Sequence, residues 1–149
     1  VAQIVANVTQ DLSEAIARTN AEVHQGHLPK VNGYPMGLHL LFLNLISNAL
    51  KFSKEDESPV IRIAGKKLDD KWEFSLSDNG IGIDPMHHEK VFAIFQRLNP
   101  RKQFSGQGIG LAHCKKIVEL HGGEIWFKSK PGEGTTFYFT LSKEKNELA

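Results

Sequence analysis

The chain has 149 residues, of which 40% are hydrophobic and 23% are charged, and its formal net charge at pH 7 is +1. This size suits one globular domain that buries roughly two thirds of its unfolded surface, and the near-neutral charge argues against nucleic-acid binding through bulk electrostatics. The single cysteine excludes an internal disulfide framework, and no apolar run approaches the ~20 residues of a membrane span. Because the sequence begins with valine rather than methionine, we expect a piece cut from a longer protein. A single cysteine suits a reducing compartment, so we expect a cytoplasmic domain whose parent protein is either soluble or membrane-anchored.

The first third of the chain predicts two helices separated by a short extended segment. Apolar residues recur at helical intervals from residue 1 to about 18, which indicates an amphipathic helix. An extended piece follows at 22–24, and then a loop, LPKVNGYP. The segment PMGLHLLFLNLISNALKFS, residues 35–53, predicts a second helix that has proline in its first turn and is apolar over most of its surface.

The rest of the chain predicts four strands and one more long helix. Strands are expected at 60–67 and 72–77, and again at 124–129 and 135–141. Between these pairs lie the loop DNGIGIDP, a short helical segment HHEKVFAIF, the loop QRLNPRKQFSGQG and the helix IGLAHCKKIVELHGG. The prediction is an α+β fold over residues 1–142: a two-layer sandwich whose mixed, mostly antiparallel sheet of about five strands carries about three helices on one face. Residues 143–149 are expected to form a loose tail.

Three polar residues interrupt the apolar surface of the helix predicted at 35–53. Asn44, Asn48 and Lys51 are spaced four and three residues apart, which places them on one helical face. Asparagine is costly to bury without hydrogen-bond partners. Two interpretations are open: a satisfied polar network with neighbouring loops, or a pocket wall that holds a metal ion and phosphates.

The segment Asp78-Asn79-Gly80-Ile81-Gly82 follows a predicted strand. It is an ordinary turn sequence, in which the aspartate can bond its own backbone. It also suits recognition of a nucleobase, because a carboxylate accepts an exocyclic amino proton and glycines let the backbone approach the ring. Both interpretations stay open from these residues alone.

A second glycine segment, GQGIG at 106–110, precedes the last helix. It is either a flexible hinge or an anion cradle formed by free backbone N–H groups at the positive end of the helix dipole. Between residues 90 and 118 there is no acidic residue, which indicates either a solvated basic surface or a flap that meets a polyphosphate. The basic residues of this stretch are Lys90, Arg97, Arg101, Lys102, Lys115 and Lys116.

Taken together and in this order, these segments resemble the ATP-binding domain of sensor histidine kinases, within the superfamily shared with type II topoisomerases, the ninety-kilodalton heat-shock chaperone and mismatch-repair ATPases. NLISNALKFS resembles the N box, DNGIGI the first glycine box, VFAIFQRL the F box, and GQGIGLA the second glycine box. HGGEIWFKSKPGEGTTF resembles the closing segment of the family, and the segment IFQRL is similar to the matching segment of phytochrome-like kinases. The resemblance implies the Bergerat fold with a mobile ATP lid.

The resemblance also implies ATP and Mg²⁺ as ligands and a role for each matching residue. Asn48 would coordinate Mg²⁺ with Asn44 in support, and Lys51 would meet the phosphates. Asp78 would bind the adenine amino group, and Arg97 in the lid would stabilise charge on the transferred γ-phosphoryl group. Asn44, Asn48, Lys51 and Arg97 would thus form the catalytic set. The other implied nucleotide contacts are Gly80, Gly82, Ile83, Gly106, Gln107, Gly108, Ile109, Gly110, Leu111 and Thr135.

Two departures from the family pattern bear on mechanism. Gln107 stands where threonine is usual, which puts hydroxyl contacts there in doubt. Asn44 stands where the hydrolysing relatives carry a glutamate, and an amide cannot take a proton from water. This favours phosphoryl transfer to a protein nucleophile over ATP hydrolysis. None of the seven histidines lies in the family's His-Glu/Asp…Pro pattern, so they are expected to be surface or packing residues.

The resulting prediction is the catalytic domain of a protein-histidine kinase in two-component signalling. Its expected partners are ATP, a histidine-bearing dimerisation domain of the same protein and a response-regulator receiver domain, with no nucleic acid. This fragment is expected to be monomeric and the full protein a homodimer. The alternatives are a superfamily ATPase or protein serine kinase, and a non-catalytic nucleotide sensor.

Overall fold

The computed structural model describes residues 1–92 and 108–143. Their elements confirm the α+β class and the predicted order of helices and strands. In chain order they are α1 (Ala2–Asp11), α2 (Ser13–Thr19), β1 (Glu22–Gln25), α3 (Pro35–Lys51), β2 (Val60–Lys67), β3 (Lys71–Asp78), a 3₁₀ helix (Pro85–Lys90), α4 (Gly108–Leu120), β4 (Ile125–Lys130) and β5 (Gly134–Ser142).

The five strands form one mixed sheet in the order β1-β2-β3-β5-β4. Strand β1 pairs with β2 in parallel, and the other three pairings are antiparallel. The parallel pair is joined by the long crossover through α3, whereas antiparallel neighbours need only short turns. The prediction of a mostly antiparallel sheet of about five strands is therefore confirmed.

The core lies between the sheet and α3. Phe74 of β3 stands opposite Phe139 of β5, and their rings stack at a centroid distance of 5.2 Å. Phe42 of α3 meets both rings edge to face. Aromatic pairs in these geometries stabilise a core beyond their area burial. The apolar side of α3 thus packs against the sheet, and its polar residues lie on a different side of the helix.

The first predicted helix differs in the structure, where it is divided into α1 and α2. Leu12 separates them with φ −98° and ψ 12°. Its partly buried side chain lines a cavity along α3 at the point where the helix direction changes. Periodicity of apolar residues does not reveal such a break, because both segments keep their apolar residues toward the core.

The predicted helical segment at 87–95 also differs in extent. The structure has a 3₁₀ helix at Pro85–Lys90, begun by Asp84, whose carboxylate accepts from the backbone N–H of Met86 at 3.0 Å. Residues 93–95 lie outside the described part of the chain. Proline at the first position and an aspartate cap account for the earlier start.

Cys114 is a residue of the core. It is fully buried, and its thiol lies 3.9 Å from the carbonyl oxygen of Leu41. Burial raises the pKa of Cys114 to about 12, although the side chain of Asn44 favours the thiolate. A thiol in this state is a poor nucleophile at neutral pH.

Lys143, the first residue of the predicted tail, contacts the β2–β3 turn and the start of β3. Its backbone N–H donates to the carbonyl of Asp70 at 3.2 Å, and its ammonium lies 5.0 Å from the ring centroid of Trp72. The rest of the tail, residues 144–149, lies outside the described residues. Among the helices at 1–92 and 108–143, none has the length and apolarity that crossing a bilayer requires.

Candidate functional site

The polar face of α3 lines a cavity of about 300 Å³. The structure brings Asn44, Asn48 and Lys51 together there, as their spacing predicts, and adds Ser47 between them. The other residues that line the cavity are apolar and come from the α1–α2 junction, from α3 and from the start of α4. They consist of Leu12, Leu43 and Leu111.

These polar side chains do not form a network with one another or with nearby loops. The Nδ2 atom of Asn44 is buried, and no oxygen or nitrogen among the described residues accepts from it; its neighbour is the sulfur of Cys114, a weak acceptor. Within residues 1–92 and 108–143, the side chains of Ser47, Asn48 and Lys51 make no hydrogen bond or ion pair. Of the two interpretations of this face, the described residues therefore favour a pocket wall.

Asp78 is the last residue of β3 and lies against the β4–β5 hairpin. Its Oδ1 atom accepts from the backbone N–H of Gly80 at 2.8 Å and from that of Thr135 at 3.3 Å. Burial raises the pKa of Asp78 above 3.8, and these two hydrogen bonds oppose the rise. Both bonds use Oδ1, so within the described residues Oδ2 accepts no hydrogen bond.

Asn79, the next residue, has a structural task that the sequence analysis did not assign. Its Oδ1 accepts from the backbone N–H of Val60 at 2.8 Å, and its Nδ2 donates to the carbonyl of Ser58 at 3.1 Å. It thereby fastens the segment before β2 to the end of β3. The turn interpretation of this sequence is correct for Asp78, whose Oδ1 accepts from the backbone N–H of Gly80 two residues on, whereas Asn79 bonds backbone groups outside the turn.

The glycines of this loop permit close approach between backbones. A Cβ on Gly80 would lie 2.4 Å from the carbonyl oxygen of Phe52, the residue that follows α3. Gly82 has φ +77°, and a Cβ there would lie 2.2 Å from the carbonyl oxygen of Lys130. The backbone N–H of Ile81 donates to Phe52 at 2.9 Å. This contact places the loop beside the end of α3, next to its polar face.

Ser129 joins two of the remaining residues that were predicted to contact a nucleotide. Thr135 is buried, and its Oγ1 lies 2.7 Å from Oγ of Ser129, which also accepts from the backbone N–H of Ile83 at 2.8 Å. Ile83 and Thr135 are therefore joined through a residue that the sequence analysis missed. Its only sequence signal is a serine at an inward position of a strand that is otherwise apolar on that side.

The predicted residues of the lid are placed only in part. Gly108, Ile109 and Gly110 form the first residues of α4, as a glycine segment at a helix start was expected to do. Arg97, Gly106 and Gln107 lie outside the described residues, together with Arg101 and Lys102. In the part of the chain that is described, no group of three or more His, Cys, Asp or Glu side chains forms a metal cluster.

Comparison with known proteins identifies the relatives of this chain. Residues 33–145 match the family described as histidine kinase-, DNA gyrase B-, and HSP90-like ATPase. The phytochrome-like protein Cph1 of Synechocystis sp. is 46% identical over 141 residues, which cover 95% of this chain and 19% of that protein. The chain therefore spans about a fifth of the length of this curated relative.

Solved structures agree with this match. The catalytic domain of histidine kinase ThkA superposes with a TM-score of 0.80 at 26% identity, covering 96% of this chain and 92% of that chain. ThkA in complex with the response regulator protein TrrA superposes with a TM-score of 0.76 at 23% identity, covering 99% of this chain and 42% of that chain. These superpositions confirm the predicted fold.

Proposed function

This chain belongs to the histidine kinase-, DNA gyrase B-, and HSP90-like ATPase family, and we propose that it is the ATP-binding catalytic domain of a sensor histidine kinase. It binds ATP with Mg²⁺ and transfers the γ-phosphoryl group to a histidine on a separate dimerisation domain. The observation that carries the proposal is the unpartnered polar face of α3, where Asn44, Ser47, Asn48 and Lys51 line one cavity.

The phosphate end of the site is built from this face. The ammonium of Lys51 attracts the phosphates as a point charge. The donor set also fits Mg²⁺: it offers the neutral amide oxygen of Asn48 and no carboxylate cage among the described residues. Magnesium keeps several waters and takes phosphate oxygens as ligands, so one amide oxygen suffices; when bound, it neutralises charge on the β- and γ-phosphates.

The base end of the site is built around Asp78. Its Oδ2 atom accepts the exocyclic amino proton of adenine, while Oδ1 is held by Gly80 and Thr135. The loop that carries Asp78 contacts Phe52, one residue beyond Lys51. The two ends of the site are therefore fixed to each other through the C-terminus of α3.

Asn44 favours transfer over hydrolysis. A water that attacks the γ-phosphate needs a group to accept its proton, and the Asn44 amide cannot do so at neutral pH. Its buried Nδ2 is also a donor without an oxygen or nitrogen acceptor among the described residues, which suits hydrogen bonding to a phosphate oxygen. The nucleophile is then a histidine imidazole that enters from the dimerisation domain.

The partners follow from the same assignment. The acceptor domain precedes or follows this segment in the full protein, which is a homodimer. The phosphohistidine passes its phosphoryl group to a response-regulator receiver domain. In support, ThkA, whose catalytic domain has this fold, is known in complex with the response regulator protein TrrA.

Two measurements test the proposal. ATP is titrated into this chain with and without Mg²⁺, and the full-length protein is then incubated with γ-labelled ATP. We expect Mg²⁺-dependent binding and acid-labile labelling of a histidine. Steady ATP turnover without labelling would favour a superfamily ATPase, an acid-stable phosphoserine would favour a serine kinase, and binding without transfer would favour a nucleotide sensor.

A further inference from the structure

Ser129 makes three hydrogen bonds at the base end of the site. Its Oγ lies 2.7 Å from Oγ1 of Thr135, accepts from the backbone N–H of Ile83 at 2.8 Å, and donates to the backbone carbonyl of Gly134 at 3.0 Å. Thus one side chain connects the loop after β3 with both sides of the β4–β5 hairpin. The proposed binding of ATP and transfer of its phosphoryl group assign no role to Ser129.

The polarity of each bond follows from counting protons. A hydroxyl has one proton and two lone pairs. The carbonyl of Gly134 can only accept, so it takes the single proton of Ser129, and the N–H of Ile83 can only donate, so it occupies one lone pair. The hydroxyl of Thr135 must therefore donate into the second lone pair of Ser129. Only this arrangement satisfies all three contacts.

The consequence for Thr135 is that its only proton is already used. Thr135 is 6% exposed, and in such a site water does not readily reorganise the hydrogen bonds. Toward a ligand group that contacts it directly, Thr135 presents lone pairs alone. Asp78 likewise presents the lone pairs of Oδ2, because its Oδ1 is held by Gly80 and Thr135. The base end thus offers acceptors and no side-chain donor from these two residues.

We propose that Ser129 is a positioning residue that directs the proton of Thr135 away from the ligand and so makes the site selective for a purine with an exocyclic amino group over one with a carbonyl at that position. This inference rests on the proposed nucleotide site. A carbonyl oxygen placed there faces lone pairs on two sides, and buried polar groups left unpaired are costly. Discrimination therefore depends on a residue that does not itself reach the base.

The test compares ATP with inosine triphosphate, which differs by a carbonyl in place of the amino group. Dissociation constants for both nucleotides are measured by calorimetry on wild type, Ser129→Ala and Ser129→Thr. We expect wild type to prefer ATP. In Ser129→Ala the Thr135 hydroxyl can turn and donate, so the preference should fall roughly tenfold, the effect of one hydrogen bond. Ser129→Thr retains the hydroxyl and should restore it.

A second variant and a control keep the result interpretable. Thr135→Val removes the acceptor but leaves the bond from Ile83 to Ser129, and it should also lower the preference for ATP. Ser75→Ala is the matched control, because Ser75 pairs with Tyr138 on the opposite side of the sheet from Phe74 and Phe139. It should change neither dissociation constant.

The outcomes separate this inference from the proposed function. If wild type binds neither nucleotide, the proposed function fails. If wild type binds both equally, or if Ser129→Ala weakens both by the same factor, the nucleotide site stands and the selectivity role of Ser129 is overturned. A fall in the ratio alone, reversed by Ser129→Thr, supports the inference.

Discussion

The backbone N–H of Tyr34 donates a hydrogen bond of 3.0 Å to Nε2 of His121, across 87 positions of the chain. The other ring nitrogen, Nδ1, lies 2.8 Å from the carbonyl oxygen of Ile117. Since Nε2 accepts, Nδ1 carries the proton and donates to Ile117. One imidazole therefore joins the segment before α3 to the end of α4, the two helices that flank the cavity.

His121→Ala should destabilise the fold. His121 is 1% exposed, so its removal opens a cavity and leaves the N–H of Tyr34 without its acceptor. The expected loss in unfolding free energy is about 2–4 kcal/mol, measured by urea denaturation. His113→Ala is the control: His113 lies exposed on α4 and should change stability by less than about 0.5 kcal/mol. Equal effects of the two variants would contradict the stabilising role of the two hydrogen bonds made by His121.

Asn48→Ala should separate ligand binding from folding. The side chain lines the cavity without a hydrogen-bond partner in the described residues, so its loss should leave stability nearly unchanged. Mg²⁺-dependent ATP affinity should fall at least roughly 10- to 100-fold, the loss known for residues that only support a metal ligand. Calorimetry with and without Mg²⁺ measures this effect. Asn7→Ala, on the exposed side of α1, serves as control; full retention of affinity in Asn48→Ala would refute the metal assignment.

Asp78→Asn should weaken nucleotide binding while stabilising the empty fold. Asparagine keeps an oxygen for Gly80 and Thr135 but presents an amide where the adenine amino group needs an acceptor. ATP affinity should fall roughly 10- to 100-fold, the effect of a hydrogen bond to a charged group. Asp69→Asn, in the exposed β2–β3 turn, is the control and should bind like wild type.

The stability part of this prediction follows from the pKa of Asp78. Burial raises it in the folded state above the ordinary value of 3.8, so the folded chain binds this proton more tightly than the unfolded chain does. At pH values above the raised pKa, the ionised carboxylate therefore lowers the free energy of unfolding. This destabilisation disappears as the pH falls through the raised pKa toward 3.8, because the folded chain then takes up the proton. Asp78→Asn should raise the melting temperature at neutral pH and flatten this pH dependence; a lowered melting temperature at pH 7 would count against it.

Gly82→Ala and Gly132→Ala form a matched pair. Both glycines have positive φ, +77° and +82°, but a Cβ on Gly82 would lie 2.2 Å from the carbonyl oxygen of Lys130, whereas one on Gly132 meets nothing within 4 Å. Gly132→Ala should therefore cost only the backbone strain, about 1 kcal/mol. Gly82→Ala should cost about 3 kcal/mol or more and also reduce ATP affinity. Thermal and urea unfolding of both variants test this ordering.

Much of the site was predictable because its signals are local. The spacing of Asn44, Asn48 and Lys51 determines a common face on any helix, and the structure places them in one cavity. The position of Asp78 at the end of a strand was predictable because a carboxylate followed by glycines is a short-range pattern, and its contact with a nucleotide stays a prediction. The alternation of Phe137 and Phe139 with Tyr138 likewise matches the burial along β5, where both phenylalanines are buried and Tyr138 is half-buried.

Other features had no local signal. The break at Leu12 depends on how α1 and α2 lie on the rest of the fold, and apolar periodicity is the same with or without it. Asn79 forms part of a turn, yet its hydrogen bond to Val60 spans 19 residues. Ser47, by contrast, had a local signal: it lies three residues after Asn44 and four before Lys51, which places it on the same helical face.

The sequence by itself determined the family, the order of elements and the chemical character of each motif, since periodicity, turn residues and helix faces are set by neighbours along the chain. Only the tertiary structure decided which hydrogen-bond partners those motifs have. Ile83 and Ser129 are 46 positions apart, and Asp78 and Thr135 are 57 apart. Their contacts exist because β3, β4 and β5 meet in one sheet, and the direction of a hydroxyl proton depends on all of its partners at once.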